Sequence, residues 1–424
     1  MYSVYSFDEC ARLDKKSENS TQLFTFYNIK YIKDRNDVMD SYFVPQLSRD
    51  FRNVINNSPI FLYDEQYKNH YSLACVVMDR LDTCIEYLNK HITYPKNEED
   101  FLSFMMFTCM IVDAVKQILK DLGIESLSKE SKYFRKVCLG RPLNLSEEDC
   151  PTDDKFFEYF RSLTFAHPFE TSRPKFFQKG EIQYSPWVIV NSPVGVFNGI
   201  SDAIGVRTYS NKCDDILDLQ LSFATLKEYI KSRYECICLA TKWAEYAVSK
   251  EESKWRRQKL NRVQEPIDIY REILKVLISR YHEVYDIEKA INYLECINTV
   301  ENNKKAVNQF RNALIEKIPA VCDAVEDLDY NLMVEILDDV IHARPPKMHN
   351  GAHYQLEKIF TYLREDNNYS DNYKWGLEQT QNFYEGFAKN WVIIKPFEMS
   401  CNEIKLLVSV ACYIEKMNQG GQTL

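Results

Sequence analysis

Glycine is scarce in this chain, with 11 residues in 424 against a typical usage of about 7%. Few glycines argue against folds that need many tight turns or phosphate-cradling loops, and favour helices joined by short connections. The chain also lacks the GxGxxG, P-loop, HExxH and GxSxG patterns, which carry much of nucleotide binding, metal-dependent hydrolysis and acyl transfer. Together these absences argue against nucleotide binding and metal hydrolysis.

An excess of basic residues and a long apolar segment are also missing. The formal net charge is −9, so any contact with nucleic acid must come from a local cluster of Lys and Arg. The longest near-continuous apolar run, 104–112, is far shorter than the roughly 20 residues of a membrane helix. A signal peptide has a basic region followed by an apolar stretch, and the first residues of the chain do not show this pattern. We therefore expect a soluble protein with no membrane partner.

The cysteines form no spaced ligand set. There are 13 of them and no CxxC, and Cys236 and Cys238 are too close together for an ordinary zinc pair. Free, buried cysteines are typical of a reducing compartment. The expectation is a cytoplasmic protein with no metal site and no cofactor.

Helical patterns dominate what the chain does contain. Asn97 is a good N-cap, an apolar stripe follows it at spacings of three and four, and Gly123 stands where the helix should end. The spacing predicts helix over about 214–250 and almost throughout 264–417. The predicted fold class is mainly α, as helical bundle domains. The predicted domains are an N-terminal segment (1–60), a helical domain (61–262) and a C-terminal helical domain (263–424).

Residues 142–193 differ in composition from the rest, since they contain six of the 14 prolines. One helix, capped by Thr152, is expected within this window. After it, the YSPWVIV and IGVRTYS segments are typical of short strands. We therefore expect a small β insertion at about 182–210.

The segment FRSLTFAHPFETSR, residues 160–173, contains the strongest candidates for chemistry. Arg161 and His167 are separated by five residues, and Pro168 disfavours helical geometry at His167. A helix that ends there would let the imidazole turn back toward Arg161. The alternative is structural, with His167 capping the helix end and Arg161 in a salt bridge with Glu158 or Glu170.

This segment resembles the active-site motif of the HEPN superfamily, an arginine followed after four to six residues by a histidine on an all-helical domain. Ser162, at the position usually taken by Asn, Asp or His, departs from the pattern, and the strands would be an insertion. The resemblance implies a metal-independent endoribonuclease of toxin or antiviral systems, with the ribose 2′-OH as nucleophile, Arg161 and His167 as catalytic residues, and a homodimer that pairs two motifs. The partners expected are RNA and a protein partner or antitoxin.

Further residues are candidates for contacts with RNA. Ser162, Thr164 and Arg173 lie within the motif segment. Arg256 and Arg257 belong to a basic stretch, 250–262, whose Trp255 could stack on a base. A solvated helix end is the alternative interpretation of that stretch.

A second arginine–histidine pair, Arg344 and His349, also has a matching spacing, but Pro345 and Pro346 interrupt it. His349 and His353 are four residues apart and could share a metal if a third ligand were nearby. A structural or binding loop is the simpler interpretation. For the whole chain, the alternative function is a non-enzymatic helical scaffold or regulatory protein that binds a protein partner through its acidic C-terminal half.

Overall fold

The computed structural model describes residues 41–124, 130–171, 181–191, 199–212, 216–364 and 371–420. Of these residues 66% are helical, and a small four-stranded sheet accompanies the helices. The mainly α fold with a small β insertion is therefore confirmed.

The described chain divides into two compact units. Unit 1 contains the described residues up to Asn57 together with Asn69–Ala244, and unit 2 contains Ser58–Lys68 together with the described residues from Glu245 onward. The boundaries predicted from sequence lay at 60/61 and 262/263. The structure places the change between units after Ala244, inside one continuous helix.

The helices of unit 1 surround a core rich in phenylalanine. They are α1 (Pro45–Asn57), α3 (Lys68–Lys90), α4 (Glu98–Asp121), α5 (Arg135–Leu139), α6 (Asp153–Arg161), α7 (Phe223–Glu235) and the N-terminal part of α8 (Ile237–Arg257). The predicted caps of α4 are confirmed, because the Asn97 side chain accepts a hydrogen bond from the backbone N–H of Asp100 at 2.8 Å and Gly123 takes a φ of +68°. The core pairs Phe101 with Phe160 and includes Phe134.

Helix α4 is long and apolar enough to cross a membrane, but half of its most apolar window is buried inside the protein. Its buried residues, such as Phe101 and Met105, belong to the core of unit 1. The core helix of a soluble protein has the same length and composition, so α4 does not identify a membrane protein.

The strands of unit 1 are β1 (Gln183–Tyr184), β2 (Val188–Val190), β3 (Ala203–Ser210) and β4 (Leu217–Ser222), all antiparallel. Strand β3 lies centrally, with β1 and β2 along one edge and β4 along the other. The opposed pairs include Ile189 with Gly205 and Gly205 with Gln220. The expectation of helix from about 214 was wrong at its start, since 217–222 form a strand and helix begins only at Phe223.

Helices are the regular secondary structure of the described residues of unit 2, with loops between them. The unit contains α2 (Ile60–Tyr63), the C-terminal part of α8 (Ile237–Arg257), α9 (Pro266–Ser279), α10 (Tyr285–Glu295), α11 (Lys304–Glu326), α12 (Tyr330–Ile341), α13 (Asn350–Tyr362), α14 (Asp371–Gly386) and α15 (Cys401–Gly420), with short 3-10 turns at Glu301–Asn303 and Ala388–Asn390. Helix α15 forms the centre of the core, and its residues from Leu406 to Cys412 are almost fully buried. Tyr293 of α10 is tied to it through a 2.7 Å hydrogen bond with Ser409.

The basic stretch 250–262 and an acidic stretch of α11 are joined inside unit 2. Lys259 and Arg262 form ion pairs with Glu326 at 2.9 and 3.2 Å, and Arg262 also binds Asp323 at 2.8 Å. Burial alone would raise the pKa of Glu326, but its hydrogen bonds from Lys259, the Leu260 N–H and Arg262 hold it below the usual range. Part of the charge in both stretches is thus neutralised within the unit.

Candidate functional site

Helix α6 carries the arginine of the motif at its last residue. The helix begins where the Thr152 hydroxyl accepts a hydrogen bond from the N–H of Lys155 at 3.4 Å. At its first residue the buried Asp153 accepts three backbone hydrogen bonds, from Lys132, Tyr133 and Phe134. With Phe156 and Phe160 buried in the core, the helix is fixed along its length, and Arg161 reaches the surface at its end.

A single π-helical turn, Ser162–Ala166, connects α6 to His167. The N–H of His167 donates to the carbonyl of Ser162 at 2.9 Å, five residues back, and the helix ends there, as Pro168 predicted. Single π-helical turns are often found at functional sites. The turn brings the histidine out of the helix, and His167 is exposed.

The two groups of His167 have different surroundings. Its carbonyl accepts a 2.7 Å hydrogen bond from the Thr171 hydroxyl, so the end of the turn is capped by the backbone and Thr171. Its imidazole makes no hydrogen bond with any residue that the structure describes.

Arg161 is paired, but with neither of the carboxylates expected from sequence. Its guanidinium donates to Asp113 of α4 at 2.7 Å, and the two side chains are 33% and 52% exposed. Glu158 instead binds Lys116 of α4 at 2.6 Å. The sequence could not identify Asp113, because it lies 48 positions away on another helix.

Arg161 lines a small cleft between α4, α6 and α7, with a volume of about 30 Å³. Two further cations, Lys116 and Arg233, line the same cleft. Arg233 binds Asp154 through Nε at 2.5 Å, and its terminal nitrogen Nη2 is buried without a hydrogen-bond partner among the described residues. The cleft therefore gathers three cations, each tied to one carboxylate, and His167 is not among its described lining residues.

Ser162 and Thr164 do not face this cleft. Both are buried, and their hydroxyls donate to the carbonyls of Glu158 and Phe160 four residues back, at 2.8 and 2.7 Å. Neither hydroxyl is placed to meet a substrate in this conformation, and we leave both out of the proposed site. Arg173, the third candidate in the motif segment, lies outside the described residues.

Arg256 and Arg257 are exposed at the end of α8, in unit 2, whereas Arg161 and His167 belong to unit 1. Arg256 donates to the carbonyl of Asp327 at 2.8 Å. Half-buried Trp255 has its carbonyl bound by the buried Arg280 at 3.0 Å. Their contacts with RNA stay a prediction.

The members of the second arginine–histidine pair have different surroundings. Arg344 and His353 line one groove of unit 2, and His353 contacts the carbonyl of Pro346 at 3.3 Å. His349 lies at the start of α13 with its ring 5.6 Å from that of Phe387, and it is not among the described residues that line the groove.

The part of the chain that the structure describes contains no group of three or more His, Cys, Asp or Glu placed to hold a metal ion. The pairing of His349 with His353 thus lacks a third ligand of these types among the described residues. Buried Cys109, close to Arg161, has a pKa raised to about 12 by desolvation, which makes its thiol a poor nucleophile.

Comparison of the chain with family models, with curated proteins and with solved structures finds no match to any of them.

Proposed function

We propose that unit 1 is a metal-independent endoribonuclease in which Arg161 binds the scissile phosphate and His167 transfers protons. The observation that carries the proposal is the exposed imidazole of His167, which has no hydrogen-bond partner among the described residues, one π-helical turn beyond an arginine that lines a cleft with two other cations. The resemblance of this segment to the HEPN motif supports the same roles.

Three carboxylates, Asp113, Asp154 and Glu158, line the cleft together with its three cations, so a phosphate must compete with a carboxylate for Arg161. The Arg161–Asp113 pair is well exposed, and such surface pairs contribute only about 0–1 kcal/mol. A phosphate could therefore replace Asp113 as the partner of Arg161 at small cost, through the two-pronged hydrogen bonding that guanidinium groups offer. Lys116 and Arg233, which line the same cleft, would add positive charge beside the phosphate.

The proposed chemistry needs the ribose 2′-OH. A histidine titrates near neutral pH and can take the 2′-OH proton or protonate the leaving 5′ oxygen. Arg161 would stabilise the charge that develops on the phosphate. Attack of the 2′ oxygen on phosphorus breaks the bond to the 5′ oxygen and leaves a 2′,3′-cyclic phosphate. DNA lacks this hydroxyl and would not be cut.

The biological setting follows from the same resemblance and is part of the proposal. The protein would act in the cytoplasm, in a toxin or antiviral defence role. A protein partner or antitoxin would restrain it.

The test is incubation of the purified protein with total RNA, with and without EDTA. We expect cleavage that survives EDTA, and each of Arg161→Ala and His167→Ala to lower it by about 100-fold or more, the scale for losing a charge stabiliser or a proton-transfer group. An oligonucleotide with a single 2′-deoxy residue at the cleavage position should resist cleavage.

Matched controls are available in the same unit. Arg80 and His91 are exposed on or beside α3, so Arg80→Ala and His91→Ala should leave cleavage unchanged. If no RNA is cut under any condition, or if His167→Ala lowers only the melting temperature, the ribonuclease proposal fails. A search for a protein partner would then test the scaffold alternative.

A further inference from the structure

Unit 2 contains a wide groove that the ribonuclease proposal does not use. Its main part has a volume of about 640 Å³ and lies between α10, the end of α12 and α13. A second part of about 360 Å³ continues it toward α15 and shares Tyr285, Lys289, Phe360 and Arg364 with the first. These volumes lie in the range of small-molecule sites, roughly 300–1,000 Å³.

The groove gathers cations from separate segments of the chain. Lys289 comes from α10, Arg344 follows α12, Arg364 follows α13, and Lys405 comes from α15. Arg344 and Arg364 are exposed, and their side chains form no ion pair with any described residue. The charge lining the groove therefore favours an anion.

Aromatic rings line the same groove. Tyr285 is 57% exposed and Tyr354 is 49% exposed, and Phe360 lies beside them. Exposed rings of this kind offer stacking surfaces to a base. A nucleotide has phosphate at one end and a flat base at the other. Cations beside aromatic rings suit it, because the cations can bind the phosphate and the rings can stack on the base.

Lys289 is the most unusual cation of the set. Its ammonium lies 4.5 Å from the ring centre of Phe360, 5.6 Å from that of Tyr285 and 5.8 Å from that of Tyr293. It has no hydrogen-bonded acceptor among the described residues. The nearby Asp286 is bound instead by His342, at 2.7 Å. The ammonium of half-buried Lys289 thus has no directly bonded anion among the described residues, and a ligand phosphate would supply one.

From these contacts we propose that the groove of unit 2 binds a nucleotide, with its phosphates on Lys289 and Arg364 and its base on the exposed rings of Tyr285 and Tyr354. No glycine-rich loop takes part, so the missing sequence patterns are no obstacle. The nucleotide is either free or part of an RNA chain, since both offer the same phosphate and base. The site is independent of the Arg161 cleft, which lies in unit 1.

The charge state of Lys289 gives the proposal a second readout. Burial lowers the pKa of Lys289 to about 8, Asp286 opposes this and Lys405 adds to it. The charged or titratable groups that line the groove around it are Tyr285, Glu288, Tyr293, His342, Arg344, His353, Tyr354, Glu357, Arg364 and Lys405. Because a phosphate binds the protonated amine, nucleotide affinity should fall as the pH rises above about 8.

The experiment is calorimetric titration of the full chain with ATP, with inorganic triphosphate and with a short 5′-phosphorylated single-stranded RNA. We expect ATP or the RNA to bind more tightly than triphosphate, because only they carry a base. Lys289→Met and Arg364→Ala should each weaken binding by about tenfold or more, and Tyr285→Ala should remove the preference over triphosphate. Binding of ATP alone identifies a free nucleotide, and binding of RNA alone identifies one within a chain.

The controls separate binding from folding. Lys275→Met, at an exposed position of α9, should bind as the wild type does, and Lys289→Arg should bind but lose the weakening above pH 8. Arg364 is exposed, so its replacement tests the site even if a change at Lys289 disturbs folding. The proposal is overturned if neither ATP nor RNA binds, if triphosphate binds as tightly, or if Lys289→Met and Arg364→Ala leave affinity unchanged.

Discussion

Arg161 and Lys289 are both cations at the surface of a cavity, yet their surroundings differ in kind. Arg161 has a carboxylate partner at 2.7 Å and stays one-third exposed, so its charge is stabilised in the absence of any ligand. Lys289 has rings on several sides and no bonded carboxylate among the described residues. An anionic ligand must displace Asp113 to bind Arg161. At Lys289 the same ligand would instead supply a negative partner that the described residues do not bond to the ammonium.

The lowered pKa of Lys289 predicts how stability depends on pH. Below about pH 8 the amine is protonated in both folded and unfolded chains, and the folded state carries the cost of burying the charge. Between about 8 and the ordinary value of 10.5, the folded chain has lost the proton while the unfolded chain still holds it. Stability conferred by this residue must therefore rise with pH across that window.

The measurement is the free energy of unfolding of the wild type and of Lys289→Met from pH 7 to 10.5. We expect Lys289→Met to be the more stable protein at pH 7, by up to roughly 3.5 kcal/mol, since one pKa unit corresponds to about 1.4 kcal/mol, and the difference to shrink as the pH rises. Taking the difference cancels the titration of other groups. A difference that stays constant with pH would show that Lys289 is solvated in the folded state.

At the scale of elements, the sequence predicted α4 well because its signals are local. A cap at Asn97, acidic residues in the first turn and a glycine after the last turn all lie within one segment. The helix predicted to start at about 214 was wrong over 217–222, which form a strand, and the reason is also local. Leu217, Leu219 and Leu221 alternate as a strand requires, but Leu217 and Leu221 are also four residues apart, as on a helix.

The candidate sites show the limit of such signals. The end of the helix at His167 could be predicted, since Pro168 is its neighbour. The partner of Arg161 and the groove around Lys289 could not, because their residues come from distant segments that only the tertiary fold brings together. No spacing along the chain marks them.

Strand β3 predicts an effect at the element scale through Gly205. A Cβ at this position would lie 2.1 Å from the carbonyl oxygen of Leu219 on β4. Non-bonded heavy atoms do not approach this closely. We expect Gly205→Ala to destabilise unit 1 by several kcal/mol, because the clash is with backbone and the paired strands must separate.

The matched control is Gly351→Ala in α13, where a Cβ meets nothing within 4 Å. This change should leave stability unchanged or raise it by up to about 1 kcal/mol, as alanine favours the helix. Thermal unfolding of the two variants and the wild type makes the comparison. Equal melting temperatures for Gly205→Ala and the wild type would contradict the close approach of β3 and β4.

At the scale of the whole molecule, the chain has two compact units, each with its own candidate site. Part of the acidic and basic charge of the C-terminal half is paired within unit 2 through Glu326, Lys259 and Arg262. This internal pairing leaves less charge for a protein partner than the sequence suggested. The same pairing gives Lys259, Arg262 and Glu326 a structural role that does not involve RNA.

The ribonuclease proposal makes a last prediction about assembly. Cleavage through the 2′-OH needs one group to remove a proton and another to donate one, and a single motif supplies one histidine. We therefore expect a homodimer in which two copies of the 161–167 segment form one site. Light scattering should give twice the chain mass of 50.1 kDa, and the specific activity should fall on dilution as the dimer dissociates. A monomer that keeps full specific activity at every concentration would show that one chain supplies both groups. The second group would then have to be found among the cleft residues of unit 1, where Lys116 is the first to replace.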